Sequence, residues 1–221
     1  MFQDNNPIYE FRGPWGVPVQ VGASIFLLPL IIIDFGGTAQ TIAYDVMFLA
    51  ILVGSIYLHE LGHAWGCLIQ GVPVKRIMMY GGGGFCERTR SATRYEQELI
   101  VGMGPIVTLV LWATAGLIAP FISDPEIAWV FRTIAWVNGF LAVLNLLPVH
   151  PLDGGKLFEL LLHRIFRPQT AIMLSGATGL LFALLWLPLM VYGFVSMGLV
   201  LFFLPSVRLH WQMMRGAKTR A

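Results

Sequence analysis

Apolar positions in this chain gather into long, nearly unbroken runs instead of the short alternations of a water-soluble domain. Four such runs are Val17–Ile33, Val46–Ile69, Leu99–Ile122 and Ile127–Leu147. At 1.5 Å of rise per residue they approach or exceed the length needed to cross a hydrocarbon core of about 30 Å. A fifth run, Ala171–Leu204, would make a single helix of about 51 Å. That is too long for one pass and short for two, and Pro188 near its middle predicts a tight hairpin of two short helices. The pattern therefore predicts an all-α polytopic membrane protein of about six transmembrane helices, arranged as a single membrane domain over residues 1–221 with a C-terminal helical hairpin at about 171–204. One stretch departs from it. Between spans two and three, Val72–Tyr80 reads as an extended strand running into Gly81–Gly84, a small strand and glycine-rich segment. Lys156–Phe166 reads as a short amphipathic piece.

Composition supports the membrane assignment. The chain is 57% hydrophobic and 12% charged with a mean hydropathy of +0.72, far too apolar for a soluble domain of this size. The lipid bilayer is thus a partner, and a net charge of +2 gives no reason to expect nucleic acid. The oligomeric state is not written in the sequence. Cys67 and Cys86 make no disulfide framework and no Cys-x-x-Cys zinc knuckle. The first 16 residues are polar, aromatic and rich in Gly and Pro, with Tyr9 and Trp15 suited to the headgroup layer. They read as no cleavable leader, so the first apolar run is expected to be a retained span.

Charge placement predicts orientation. Lys75, Arg76, Arg88, Arg90 and Arg94 fall in one connecting stretch, Lys156, Arg164 and Arg167 in another, and Arg208, Arg215, Lys218 and Arg220 in the tail. The loops at 34–45 and 123–126 have no Lys or Arg. The positive-inside rule then places both termini in the cytoplasm of a multi-pass protein of the cell membrane. Arg132, near the outer end of the fourth span, is left to snorkel.

The candidate chemistry lies in the second span, at His59-Glu60-Leu61-Gly62-His63. On a helix the two histidines are one turn apart on the same face and can reach one metal ion, with Glu60 beside them as a general base for a metal-bound water. Three ionisable residues on a membrane helix cost several kcal/mol, which marks them as functional. Two histidines leave a catalytic zinc short of a third protein ligand. Asp153, His150, Cys67 and Glu159 are the candidates. By the charge-based topology the second and fourth spans both end on the cytoplasmic side, which brings the histidine pair and Asp153 to one depth. Asp153 also sits on broken backbone, after Pro148 and Pro151 and before Gly154-Gly155.

His59-Glu-Leu-Gly-His63 on a membrane span, with Asn145-Leu-Leu-Pro148-Val-His-Pro151-Leu-Asp153-Gly154 some 80 residues on, resembles the site-2 protease family of intramembrane zinc metalloproteases. The opening Gly16-Val-Pro-Val-Gln-Val and Gly81–Gly84 are also similar, so the likeness covers about residues 15–160, the expected catalytic core. It implies one zinc ion held by His59, His63 and Asp153, with Glu60 as base, and a role for Asn145 in holding substrate or the oxyanion. Where the family often has Gly-Pro-x-x-Asn, this chain has Gly104-Pro105-Ile-Val-Thr108, and any polar duty at that position is in question. The chain has no room for the PDZ or CBS domain of some branches, and the resemblance therefore implies a minimal form.

The expected function is hydrolysis of a peptide bond in or near a transmembrane segment of a membrane protein substrate. Such a substrate must unwind locally, and strand addition at Val72–Tyr80 is expected to hold it, with Gly82 and Gly83 admitting its backbone closely. The competing readings are a membrane metal-binding or transport protein and a catalytically inactive relative acting as a scaffold. A transporter would spread ionisable residues through several spans from one side to the other, whereas here they cluster at one depth.

Overall fold

The computed structural model describes residues 7–197 and 203–216, and the chain divides between Ala142 and Val143 into two compact units. The first unit opens with strands Pro7–Arg12 (β1) and Pro18–Gly22 (β2), followed by a short helix, Leu27–Ile32 (α1), and a long one, Ala39–Ile69 (α2). A hairpin of Val74–Tyr80 (β3) and Gly83–Arg88 (β4) leads into Arg94–Ile118 (α3) and then Pro125–Leu146 (α4), whose last turn lies in the second unit.

The sheet runs in the order β1-β2-β3-β4, with β2 and β3 parallel and the outer pairs antiparallel. Val19 opposite Ile77 and Val21 opposite Met79 set the register. Strand alternation then sends Val17, Val19, Ile77 and Met79 to one face, where they pack on Leu61 and Ala64 of α2. The other face carries a polar ladder across all four strands: Glu10 accepts from Gln20 at 2.6 Å, Gln20 from Arg76 at 2.7 Å, and Glu87 from Arg76 at 2.6 Å. Lys75 and Arg76 hold the Glu87 carboxyl below the usual carboxylate range.

Val17–Ile33 is therefore not a transmembrane helix. Its first third is the inner strand β2, and Ala23–Ile32 forms only a short apolar helical stretch. A hydropathy sum counts Val17, Val19 and Val21 as apolar without recording that they alternate with Pro18 and Gln20 and are covered by protein instead of lipid. The strand expected at Val72–Tyr80 is present as β3. It has a partner on each side, so among the described residues the free edges belong to β1 and β4.

Four described helices are long and apolar enough to cross a membrane: Ala39–Ile69, Arg94–Phe121, Pro125–Leu146 and Pro168–Gly193. Two begin earlier than hydropathy predicts because polar residues cap them. Thr38 accepts from the Thr41 N–H at 3.2 Å. At α3 a capping box forms, the Thr93 hydroxyl accepting from the Glu96 N–H and the Glu96 carboxylate from the Thr93 N–H. Thr93→Ala should cost about 1 kcal/mol, to be read as a lowered thermal midpoint in detergent.

Helices α2 and α3 touch backbone to backbone. A Cβ at Gly62 would lie 2.7 Å from the Met103 carbonyl oxygen, and one at Gly66 would lie 2.9 Å from the Ile100 Cα. This Gly-x-x-x-Gly pair supplies the close approach that membrane helices use in place of a hydrophobic drive. A buried amide joins α2 to α4, Asn138 Nδ2 donating to Ser55 Oγ at 2.9 Å.

In the second unit, Asp153–Ile165 (α5) and Pro168–Met197 (α6) precede the short helix Val207–Met214 (α7). The hairpin expected to turn at Pro188 does not turn there, since α6 runs on through that proline. Proline inside membrane helices is tolerated because neighbours re-satisfy the freed backbone group. The chain does reverse, but later. Trp186 Nε1 donates to the Phe203 carbonyl at 2.7 Å, the His210 ring lies on Gly179, and Met213 and Met214 lie on Gly176. Phe203–Met214 thus returns antiparallel along α6, as a polar-flanked arm instead of a second apolar span. Residues 198–202 of the predicted hairpin, and Lys218 and Arg220 of the basic tail, lie outside the described residues.

Candidate metal centre

The last turns of α2 carry an almost continuous buried stretch from His59 to Ala64, enclosed by α3 on one side and the sheet on the other. His59, Glu60 and His63 are 5%, 5% and 8% exposed. Their ligand atoms all lie within 4.8 Å of one another, the one such group among the described residues. The two imidazoles meet edge to face, 86° apart. His63 Nδ1 lies 2.8 Å from the Ile100 carbonyl. A carbonyl only accepts, so Nδ1 carries the proton and Nε2 keeps its lone pair. That lone pair faces His59 Nε2 across 3.1 Å.

This donor set fits a zinc ion. Two imidazole nitrogens at zinc-bonding distance and tetrahedral angle stand about 3.3 Å apart, close to the spacing observed. The carbonyl that fixes the His63 tautomer is the usual outer partner of a metal-binding imidazole.

Two glycines make room for the group. On α3, a Cβ at Gly104 would overlap the His63 ring and stand 2.8 Å from His59 Cε1. On β4, a Cβ at Gly84 would stand 2.6 Å from Glu60 Cγ and 3.2 Å from Oε1. Of the glycine run it is thus Gly84 that lies on Glu60. Gly81 and Gly82 form the hairpin turn, Gly82 lying against the Tyr80 ring, and Gly83 takes φ +130° with open space beside it. Burial pushes the Tyr80 phenol up, and the charge of Glu60 adds to the shift, so Tyr80 keeps its proton at neutral pH.

The remaining candidates are placed as follows. Cys67 is fully buried and packs with Val72, Ala92 and Ile100. Thr108, also fully buried, donates to the Pro105 carbonyl of its own helix at 2.9 Å. In the second unit, Asn145 lies half-buried in the last turn of α4, and Asp153 is buried as the first residue of α5, where a carboxylate suits the helix N-terminus. His150 and Glu159 contact each other. Gly84, Gly104 and Tyr80 escape a reading of the sequence, because each matters through an element distant in the chain.

Apolar helices in this number, together with a buried His-Glu-His group able to hold a metal ion, define the class as a multi-pass membrane protein. Comparison with known proteins narrows the class. Residues 122–187, the segment holding Asn145 and Asp153, match the sequence profile of Peptidase family M50. A zinc metalloprotease of Methanocaldococcus jannaschii is 26% identical over 188 residues, covering 84% of this chain and 54% of that protein. Such an alignment necessarily spans both His59–His63 and Asp153. Stage IV sporulation protein FB of Bacillus subtilis is 31% identical over 132 residues, covering 59% of this chain and 45% of that protein. The solved structure of the site-2 protease from M. jannaschii matches the fold with a TM-score of 0.62 at 21% identity, over 95% of this chain and 93% of that one. Residues 122–187 thus match Peptidase family M50, and the chain as a whole has the fold of the solved site-2 protease. It spans about half the length of the curated relatives it matches.

Proposed function

We propose that this protein is an intramembrane zinc-dependent endopeptidase that hydrolyses a peptide bond in or near a transmembrane segment of a membrane protein. The observation that carries the reading is the pair of imidazole Nε2 atoms 3.1 Å apart with the Glu60 carboxylate in reach, on an otherwise apolar helix. His59 and His63 hold one zinc ion, and Asp153 supplies the third protein ligand. Zinc, when bound, supplies Lewis acidity and brings the pKa of a water down to about 7. Glu60 takes the proton of the attacking water and passes it to the leaving amine. Asn145 steadies the substrate or the oxyanion.

Substrate capture falls to the sheet. An unwound segment adds as a strand along the free edge of β4, and Gly84 brings that edge against Glu60. Gly82 and Gly83 shape the turn that leads to it. Residue 84 in place of 82 and 83 as the point of closest approach follows from the register, which puts Gly84 opposite Met79.

Both termini and the site face the cytoplasm, as the Lys/Arg asymmetry requires. The chain makes six passes in this arrangement, four as full helices. The first pass is Ala23–Ile33, which leads from Ser24, bonded to Gly81, to Asp34, bonded to Asp45. The last is the return of the chain after α6, which the arm makes against α6 and not as an apolar helix of its own. Reporter fusions after residues 90 and 168 should read cytoplasm, and one after Asp124 the outside. An outside signal at residue 90 would reverse the orientation. The functional reading itself is tested by incubating candidate single-span proteins with wild type and with Glu60→Gln, measuring cleavage and zinc in both.

A further inference from the structure

Three of the five histidines take no part in the metal centre, and all three meet in the second unit. His150 stands in the turn that leads from α4 to Asp153. Its backbone N–H donates to His210 Nε2 at 3.1 Å. His210 Nδ1 in turn donates to the Ser206 carbonyl at 2.8 Å, so a single neutral tautomer satisfies both ends of the ring. The ring is fully buried and lies on Gly179 of α6, where any Cβ would overlap it. The His150 side chain is held as well, its Nε2 standing 3.0 Å from Glu159 Oε2 and 3.3 Å from Ser175 Oγ. The other Glu159 oxygen faces His163 Nε2 at 3.5 Å. The hydrogen bond from His150 is the main cause that keeps the Glu159 carboxyl below its usual range.

There is no slack between this cluster and Asp153. A Cβ at Gly155 would stand 2.6 Å from the His150 nitrogen, so the first turn of α5 rests directly on the backbone that His210 holds. The Leu152 N–H donates to the Val149 carbonyl at 2.9 Å, closing the turn. A burial of histidines and a carboxylate is a costly way to fasten a loop, and an apolar plug would do it more cheaply. What directional bonds add is a defined position.

We propose that His210 of α7 and Glu159 of α5 are positioning residues for the metal site, clamping His150 and with it the turn that aims Asp153. The proposal rests on Asp153 being the third zinc ligand. It makes the C-terminal arm, sixty residues beyond the turn, part of the metal-binding machinery.

The test measures zinc affinity by chelator competition on the full chain in detergent, together with the visible spectrum of the cobalt-substituted protein. His210→Phe keeps a ring but removes the acceptor. It should lower zinc affinity by about 10- to 100-fold, the usual cost of losing an outer partner, and shift the cobalt bands. His210→Gln, which restores an acceptor at similar reach, should recover much of the affinity. In an Asp153→Asn background, His210→Phe should cost nothing further. Wild-type zinc affinity and an unchanged cobalt spectrum in His210→Phe would overturn the clamp, as would an equal loss in both backgrounds. Should His210→Phe not fold, Glu159→Gln is judged by the same criteria. Undiminished zinc affinity in Asp153→Asn alone would instead remove the ligand assignment on which the clamp depends.

Discussion

Glu60→Gln will abolish peptide hydrolysis while zinc remains bound. The substitution is nearly isosteric, and the space for it is set by Gly84, whose backbone lies on the Glu60 side chain, so glutamine fits where glutamate did. The histidine nitrogens, 3.1 Å apart, are expected to keep their spacing. His63 takes its orientation from the Ile100 carbonyl. What the amide lacks is a site that can accept a proton from the attacking water. The loss should be about 10²- to 10⁴-fold, the ordinary contribution of a general base. Parallel assays of cleavage and zinc content separate the outcomes. Undiminished cleavage would remove Glu60 from the chemistry, and loss of zinc together with activity would make it a ligand.

Gly104→Ala should give the opposite pattern, in which zinc affinity and hydrolysis fall together. The added methyl would overlap the His63 ring and crowd His59 Cε1. Helix α3 could withdraw only by giving up the close seat of its backbone at Ile100 and Met103 on Gly66 and Gly62 of α2. The imidazoles must therefore turn, and their lone pairs lose a common focus. Displacement of reacting groups by about 1 Å is enough to cost about 10²-fold. Gly102→Ala provides the control on the same helix, because nothing lies within 4 Å of the Cβ it would add. It should leave both measurements at the wild-type level. If the two variants behave alike, the close seat of the imidazoles on α3 carries no consequence for the metal.

The legible part of this protein was its buried His-Glu-His group, and the less legible part was what encloses it. His59, Glu60 and His63 announce themselves because ionisable residues at one-turn spacing are expensive in an apolar helix. Gly84 and Gly104 do not, since a glycine that yields to a side chain from another element looks like any other glycine until the two elements are paired. Thr108 invited a search for a polar role, yet its hydroxyl bonds to its own helix. The error over Val17–Ile33 has a different origin. A window sum over hydropathy discards order, and the order Val17-Pro18-Val19-Gln20-Val21 is that of a strand with one covered face. Two signals were present and could have been used: Thr93-Arg-Tyr-Glu96 marks the start of α3 as a capping box, and Gly62-x-x-x-Gly66 marks the face of α2 that meets it.

The parallel pairing of β2 with β3 bears on how the protein is made. The helix bearing the histidines lies between these two strands in the chain, so it is the crossover of a parallel pair, and its surroundings close only when both ends have been synthesised. During biosynthesis α2 leaves the ribosome before β3, before the β4 edge that covers Glu60, and before the α3 glycine on which the imidazoles rest. Parallel pairing across so long a loop is slow compared with helix formation. Membrane insertion of α2 therefore precedes assembly of its surroundings, and the His-Glu-His group is enclosed only once β3, β4 and α3 have followed.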